Sequence, residues 1–420
     1  MNAFFPIDNS LLAAADQAET DCAGAFRRIA ETEEHNAQKV LRAFIDNRVS
    51  ESLFGGSTGY GYDDRGRETL DRVWAQIFDT EDALVRHNFM SGTHAISTAL
   101  FGVLRPGDTM VCLTGTPYDT LHDVIRGRGV GSLEEFGITY KELPLLPDGS
   151  VNYEGIPEAV RGAKMAYIQR SRGYSLRPSL SVDVMRKIFS IVKEANPQAV
   201  CVADNCYGEF VCKEEPTQCG ADLIIGSLIK NPGGGIADTG GYIAGKHEYV
   251  ELCANRLSAP GVGREIGCTL NELRPMYLGL FFAPTVTAAA IKTSVFAARF
   301  FELLGYRATP AYDEPRTDII ETIELGGKEA LCAFCRGIQS GSPIDAFVTP
   351  EPWDMPGYDD PVIMAAGAFH LGASVDLSAD APLREPYAVW MQGGLTYSTA
   401  KAGVLLAAQS MKDAGVWKAK

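Results

Sequence analysis

Positive charge is what this chain most lacks. Its 38 lysines and arginines stand against 53 aspartates and glutamates, a formal net charge of -15. Nucleic acid and anionic membranes both require basic surface, so neither is expected as a partner. No stretch reads as long and apolar enough to span a bilayer. Met1-Asn-Ala-Phe-Phe-Pro-Ile-Asp8 has no basic flank and no sustained apolar core, so it does not read as a signal peptide. The ten cysteines follow no small-scaffold spacing. The lone CxxC, Cys332-Ala-Phe-Cys335, has no second pair and no histidine at zinc-finger distance, and reads as a helical core pair. Cys112, Cys201 and Cys206 lie in apolar runs where a thiol acts as a small hydrophobe. A reduced, cytoplasmic protein without a metal centre is the expectation.

Nucleotide and serine-hydrolase signatures are missing as well. There is no GxGxxG fingerprint. Gly55-Gly-Ser-Thr-Gly59 fits the nucleophile-elbow formula but lacks the strand before it and the helix after it. Gly240 to Lys246 fits most of a phosphate-cradling loop, yet His247 stands where Ser or Thr is needed.

What is present is an α/β rhythm. With 420 residues the chain can bury a large core and divide into domains. Leu11–Ala23 and Ala25–Phe44 show helical spacing, and Phe54 to Tyr62 is glycine-rich loop. Short apolar strands follow at 84–89, 109–113, 139–143, 165–169, 199–203, 223–228 and 241–244. Helices are expected at 95–104, 153–160, 182–194 and 246–255. This predicts a mostly parallel seven-stranded sheet with helices on both faces. A long helix from Thr285 to Leu304 then opens a smaller C-terminal α+β domain. The expected division is a helical arm over 1–50, a large domain over 51–284 and the small one over 285–420.

Four features fall at predicted strand ends, where open α/β sheets bind ligands. Lys230 ends the apolar run Asp222-Leu-Ile-Ile-Gly-Ser-Leu-Ile-Lys230 and precedes Asn-Pro-Gly-Gly-Gly235. A lysine pressed neutral there suits Schiff-base chemistry, because only the free amine attacks a carbonyl. The ordinary reading is a strand-end lysine reaching water or a carboxylate. Ser91, Gly92 and Thr93 open an alanine-rich helix and suit an anion, or else form a plain helix cap. Asp204 ends a strand and could hold a pyridine nitrogen protonated, or could form an Asx turn. Tyr118 could stack on a flat ring or be core. Ser227, three residues before the lysine, offers a further phosphate donor.

In order and spacing these features match a pyridoxal 5'-phosphate (PLP) site, with the lysine 26 residues after the acid. The chain resembles the fold-type I, aspartate-aminotransferase-like PLP enzymes, and more closely the methionine gamma-lyase and aluminium-resistance branch of the Cys/Met-metabolism enzymes. The resemblance rests on Ser57-Thr-Gly-Tyr-Gly-Tyr-Asp-Asp-Arg-Gly-Arg67, Ser91-Gly-Thr-His-Ala-Ile96, Asp204-Asn-Cys-Tyr-Gly-Glu-Phe210 and Gly226-Ser-Leu-Ile-Lys-Asn-Pro-Gly-Gly-Gly235. Leu377-Ser-Ala-Asp-Ala-Pro-Leu-Arg384 and Gln392-Gly-Gly-Leu-Thr-Tyr397 add to it.

The resemblance implies that Lys230 carries the cofactor and moves the substrate's α-proton. Asp204 would pair with the ring nitrogen, Tyr118 would stack on the ring, and Ser91, Gly92, Thr93 and Ser227 would hold the phosphate. Tyr60, Tyr62 and Arg65 would reach the neighbouring subunit's site, which implies a homo-oligomer, dimer or tetramer. A guanidinium would grip the carboxylate of an amino-acid substrate, with Arg384 the first candidate and Arg172 the second. The expected activity is carbon–sulfur elimination from a sulfur-containing amino acid. An aminotransferase, or a non-catalytic stress-response protein of the same fold, is the alternative. One departure bears on specificity: the lysine motif is Ser-Leu-Ile-Lys, where related lyases carry Ser-x-Thr-Lys.

Overall fold

A computed structural model of the chain describes residues 4–355 and 360–417. The signal-peptide reading of residues 1–8 therefore falls partly outside the described residues. The chain divides into two compact units, one of residues 35–282 and one of residues 1–34 with 283–420.

The first unit is built on the expected seven-stranded sheet. Its strands are β1 (Asp82–Arg86), β2 (Thr109–Cys112), β3 (Thr139–Glu142), β4 (Met165–Gln169), β5 (Val200–Asp204), β6 (Leu223–Ser227) and β7 (Gly241–Gly245), in the order β1-β7-β6-β5-β4-β2-β3. β7 runs antiparallel to both its neighbours, and the other pairs are parallel. Every residue of β4 to β7 is buried, which is why these strands read as unbroken apolar runs without alternation. The helix Gly92–Val103 lays Ala95, Ile96, Ala99 and Leu100 into one core with Leu84, Val202, Ile225 and Ile243. Of the segment Gly240 to Lys246, Gly241–Gly245 is strand, in keeping with its rejection as a phosphate loop, and Lys246 pairs with Asp222 at 2.8 Å.

The second unit carries an antiparallel sheet of β8 (Arg307–Thr309), β9 (Ile320–Glu324), β10 (Val362–Ala365), β11 (Ser378–Pro382) and β12 (Ala388–Gln392), ordered β10-β11-β12-β9-β8. Its core joins Val389 and Met391 to Leu331 and Phe334 of the helix Lys328–Ser340 and to Val404 and Leu405 of the helix Tyr397–Asp413. Cys332 and Cys335 sit in that core as the sequence suggests, and all ten cysteines are free.

Several expectations need correction. The two N-terminal helices are one, Asn9–Asp46: Gly24 in its interior costs about 1 kcal/mol relative to alanine, too little to break a helix of this length. The 153–160 helix is a 3₁₀ turn, Tyr153–Gly155, followed by a single helical turn, Ile156–Ala159. The long helix begins at Leu273 and runs through Pro284 to Leu303. Its length and composition would suffice for a membrane span, contrary to the reading that no stretch would. Its most apolar part is 72% buried inside the protein, however, so it is a core helix. Gly279 on this helix permits a close approach: a β-carbon there would lie 2.2 Å from the Gly233 carbonyl oxygen, in the loop after Lys230.

Candidate active site

The carboxyl ends of β4, β5 and β6 lie side by side, with Gln169 paired to Asp204 and Asp204 to Ile225. Asp204 is buried, and its Oδ1 accepts the Cys206 N–H at 3.0 Å, so the Asx turn is real. Burial pushes its pKa up, and the charge of Lys230 pulls it down. Lys230 follows β6 by three residues and is partly buried. Its Nζ stands 4.1 Å from the centroid of the Tyr207 ring, over the ring face.

The expectation of a lysine pressed neutral does not hold for the protein's own groups. Burial disfavours the ammonium, but Cys206, Tyr207, Tyr118 and Asp204 outweigh it, and the pKa is raised. Asp204 is the acid among them, since burial pushes the Cys206 thiol well above its ordinary range. The amine must therefore give up a proton before it can act as a nucleophile.

Beside this pair lies an anion cradle. Ser91 caps the helix Gly92–Val103, its side chain accepting the His94 N–H at 3.1 Å and its carbonyl the Ala95 N–H at 3.1 Å. The N–H groups of Gly92 and Thr93 remain, and the first N–H groups of a helix have no acceptor within it. A β-carbon on Gly92 would touch Ser227 Cβ at 3.4 Å and Cys206 Sγ at 3.5 Å, so the three are neighbours. Ser227 Oγ is buried without a hydrogen-bond partner. A buried, unsatisfied hydroxyl beside a helix N-terminus fits a phosphate group. Tyr118 completes the wall: its N–H donates to Gln169 Oε1 at 2.9 Å, and its hydroxyl bonds Thr93 Oγ1, which also contacts Thr120 Oγ1 at 2.8 Å.

The fold thus gathers Lys230, Asp204, Ser227, Gly92, Thr93 and Tyr118 at one sheet edge. Arg172 is buried on the segment after β4, its N–H donating to Ser179 Oγ at 3.0 Å. Arg384 belongs to the other unit, half exposed, and pairs with Asp360 at 3.6 Å. Tyr60 and Tyr62 are 68% and 63% exposed with ring centroids 5.6 Å apart, and Arg65 is exposed at the start of the helix Arg65–Ile77. Their loop is held from within, by Asp64 bonded to Ser57 and Thr269 and by Arg67 donating to the Gly61 and Gly267 carbonyls.

Residues the sequence reading passed over also serve this edge. Tyr207 adopts a left-handed backbone, φ 68°, which turns its ring under the lysine. Arg170 is fully buried and donates to Asn205 Oδ1 and the Gly208 carbonyl, each at 2.8 Å, with Glu215 at 3.6 Å. Asn205 directly follows Asp204, so this guanidinium braces the acid from behind. Arg170→Ala would strand Glu215 and is expected to cost about 3–5 kcal/mol, read as a lower denaturant midpoint.

A set of three metal-ligand residue types also comes together, where the sequence reading found none. Asp82, His247 and Glu251 converge from β1 and the helix His247–Leu257. Arg264 pairs with Asp82 at 2.7 Å and Glu251 at 2.5 Å, and His247 Nδ1 meets Asp82 at 2.7 Å. The guanidinium already supplies the positive charge those carboxylates need, so the cluster is a salt-bridge network.

Comparison with known proteins gives the family of the chain. Residues 11–412 match the family model for methionine gamma-lyase. YnbB of Bacillus subtilis, described as uncharacterized, is 49% identical over 94% of this chain and 95% of its own length. A solved structure from Clostridium novyi, described as a carbon–sulfur lyase involved in aluminium resistance, is 48% identical with a TM-score of 0.93, covering 97% of this chain and 96% of its own. The PLP-dependent protein YhfS of Escherichia coli shares the fold at 16% identity, with a TM-score of 0.62 over 92% of this chain and 97% of its own. The chain belongs to the methionine gamma-lyase family.

Proposed function

We propose that this protein is a PLP-dependent carbon–sulfur lyase that acts on a sulfur-containing amino acid, releasing a thiol, ammonia and an oxo acid. The observation that carries this reading is the placement of Lys230 beside Asp204 and the Gly92, Thr93 and Ser227 cradle. PLP, when bound, supplies an electron sink for the pair of electrons left by α-proton loss.

The chain's own residues divide the work around it. The N–H groups of Gly92 and Thr93, the Ser91 cap and the Ser227 hydroxyl hold the phosphate. Asp204, buried at the end of β5, would pair with the ring nitrogen and keep a proton on it. Tyr118, fixed by Thr93 and Gln169, would lie against the ring. Lys230 would be the amine that holds the cofactor and, when free, the base for the substrate's α-proton. Arg384 or Arg172 grips the substrate carboxylate by a two-pronged hydrogen bond. The exposed Tyr60, Tyr62 and Arg65 act on a second copy in a homo-oligomer, whose contact surface would use the exposed Leu41, Ile45, Leu278, Phe281 and Phe282. Ten free thiols fit a reducing, cytoplasmic setting.

Two measurements test this reading. Ser227→Ala is expected to weaken PLP binding by about tenfold or more, the worth of one hydrogen bond to a charged group, read by absorbance titration. A panel of methionine, cystathionine and cysteine analogues should release oxo acid from the PLP-loaded protein. Loading without release from any of them overturns the lyase reading, and oxo-acid-dependent formation of a new amino acid identifies an aminotransferase instead.

A further inference from the structure

We propose that Glu209 is a positioning residue of this site: its buried carboxyl is held by Tyr242 of β7, while its backbone carbonyl ties the turn that bears Tyr207 to the loop that bears Lys230. The proposal deepens the reading of Lys230 as the reactive amine and rests on it.

Glu209 is wholly buried, yet no arginine or lysine pairs with it among the ion pairs of the described residues. Its Oε1 accepts the Tyr242 hydroxyl at 2.8 Å. Tyr242 stands on β7 with its ring fixed by Trp74 at 4.6 Å and by stacking on Phe78 at 5.5 Å, so the donor cannot wander. Asn205 Nδ2 reaches the same hydroxyl at 3.4 Å, and Asn205 follows Asp204. The Glu209 carbonyl accepts Asn231 Nδ2 at 3.0 Å, and Asn231 follows Lys230. One residue is thereby tied to the chain neighbours of both the ring acid and the reactive lysine.

The strand below makes room for it. A β-carbon on Gly226 would fall 2.4 Å from Glu209 Oε1 and 2.5 Å from Tyr242 Cε1, so only glycine leaves β6 open for this pair. Glu209 Oε2 and Asn231 Oδ1 are both buried without partners. An ionised carboxylate offers neither of them a hydrogen, whereas the protonated acid carries one. Burial pushes the Glu209 pKa up to about 8; its own backbone and Tyr242 pull it down, Glu215 raises it, and Lys230 lowers it. Burial thus favours the protonated acid near neutral pH. By reciprocity, its ionisation at higher pH strengthens the hold of the Lys230 amine on its proton.

The pH dependence of Lys230 reactivity distinguishes this role from mere packing. Full-length protein is treated with hydroxylamine to release any bound PLP. It is then labelled with formaldehyde and cyanoborohydride between about pH 6 and pH 10, and the Lys230 peptide is quantified by mass spectrometry. Glu209→Gln keeps the shape and cannot ionise, and Tyr242→Phe keeps the ring and removes the donor. In Glu209→Gln the alkaline labelling rate of Lys230 is expected to rise several-fold over wild type, with little change near pH 6. Labelling profiles that superpose for wild type and Glu209→Gln overturn the proposal. Should Glu209→Gln fail to fold, a Tyr242→Phe profile unchanged from wild type overturns it equally. The readout does not depend on cofactor loading, so failure of the wild-type protein to bind PLP would fall on the functional reading alone.

Discussion

Lys230→Ala is expected to fold normally and to lose turnover by at least about 10³-fold, because in the proposed function one amine both holds the cofactor and moves the α-proton. Removing it should cost little stability. The side chain is only partly buried, and burial already favours the neutral form of Asp204, which lightens the loss of the lysine's charge. The phosphate cradle of Gly92, Thr93 and Ser227 is untouched, so PLP should still bind, though without a covalent link. Borohydride reduction followed by peptide mass measurement should therefore fix PLP to the Lys230 peptide in wild type and nowhere in the variant. Lys230→Arg should rescue nothing, since a guanidinium keeps its proton at any accessible pH. A variant whose turnover and absorbance match wild type would reduce Lys230 to the strand-end salt bridge that its sequence context also allows.

The sheet was legible because burial on both faces leaves an unbroken apolar signature, and β4 to β7 carry it almost without interruption. The candidate residues that end those strands were legible for the same reason: once the strands are placed, Asp204 and Ser227 sit at their carboxyl ends. What stayed hidden depended on contacts between distant segments. Nothing local marks Glu209 as buried without a counter-charge, because the space it fills is left by Gly226 and the bond it accepts comes from Tyr242. Asp82, His247 and Glu251 are similarly joined only by the antiparallel pairing of β1 with β7. The charge of Lys230 was not legible from its run alone, which allows both a neutral and a paired lysine; Asp204 and its neighbours more than offset burial. Pro284 misled in the opposite direction, its ring marking no boundary in a helix held by packing along most of its length.

Asp204→Asn should move activity and stability in opposite directions, which an Asx turn alone would not do. The amide still accepts the Cys206 N–H that Oδ1 holds at 3.0 Å, so the turn survives. What disappears is the negative charge that, in the proposed function, keeps a proton on the ring nitrogen, and kcat is expected to fall by about 10²–10³-fold, the usual loss when one preorganised electrostatic partner is removed. The stability effect follows from linkage. Burial raises the folded-state pKa of Asp204 above its unfolded value, so the folded protein binds a proton more tightly there than the unfolded chain does. That contribution is fully present below the unfolded pKa and is lost as pH rises through the folded one. At neutral pH the native acid thus weakens the fold relative to an uncharged side chain of the same shape. The variant should melt higher than wild type at neutral pH, with the difference shrinking toward acid pH, as thermal unfolding across that range can follow. An Asn variant that melts lower and turns over normally would mean that the carboxylate serves the turn and not the chemistry. A gain in stability with a loss in rate is the mark of an acid buried for catalysis.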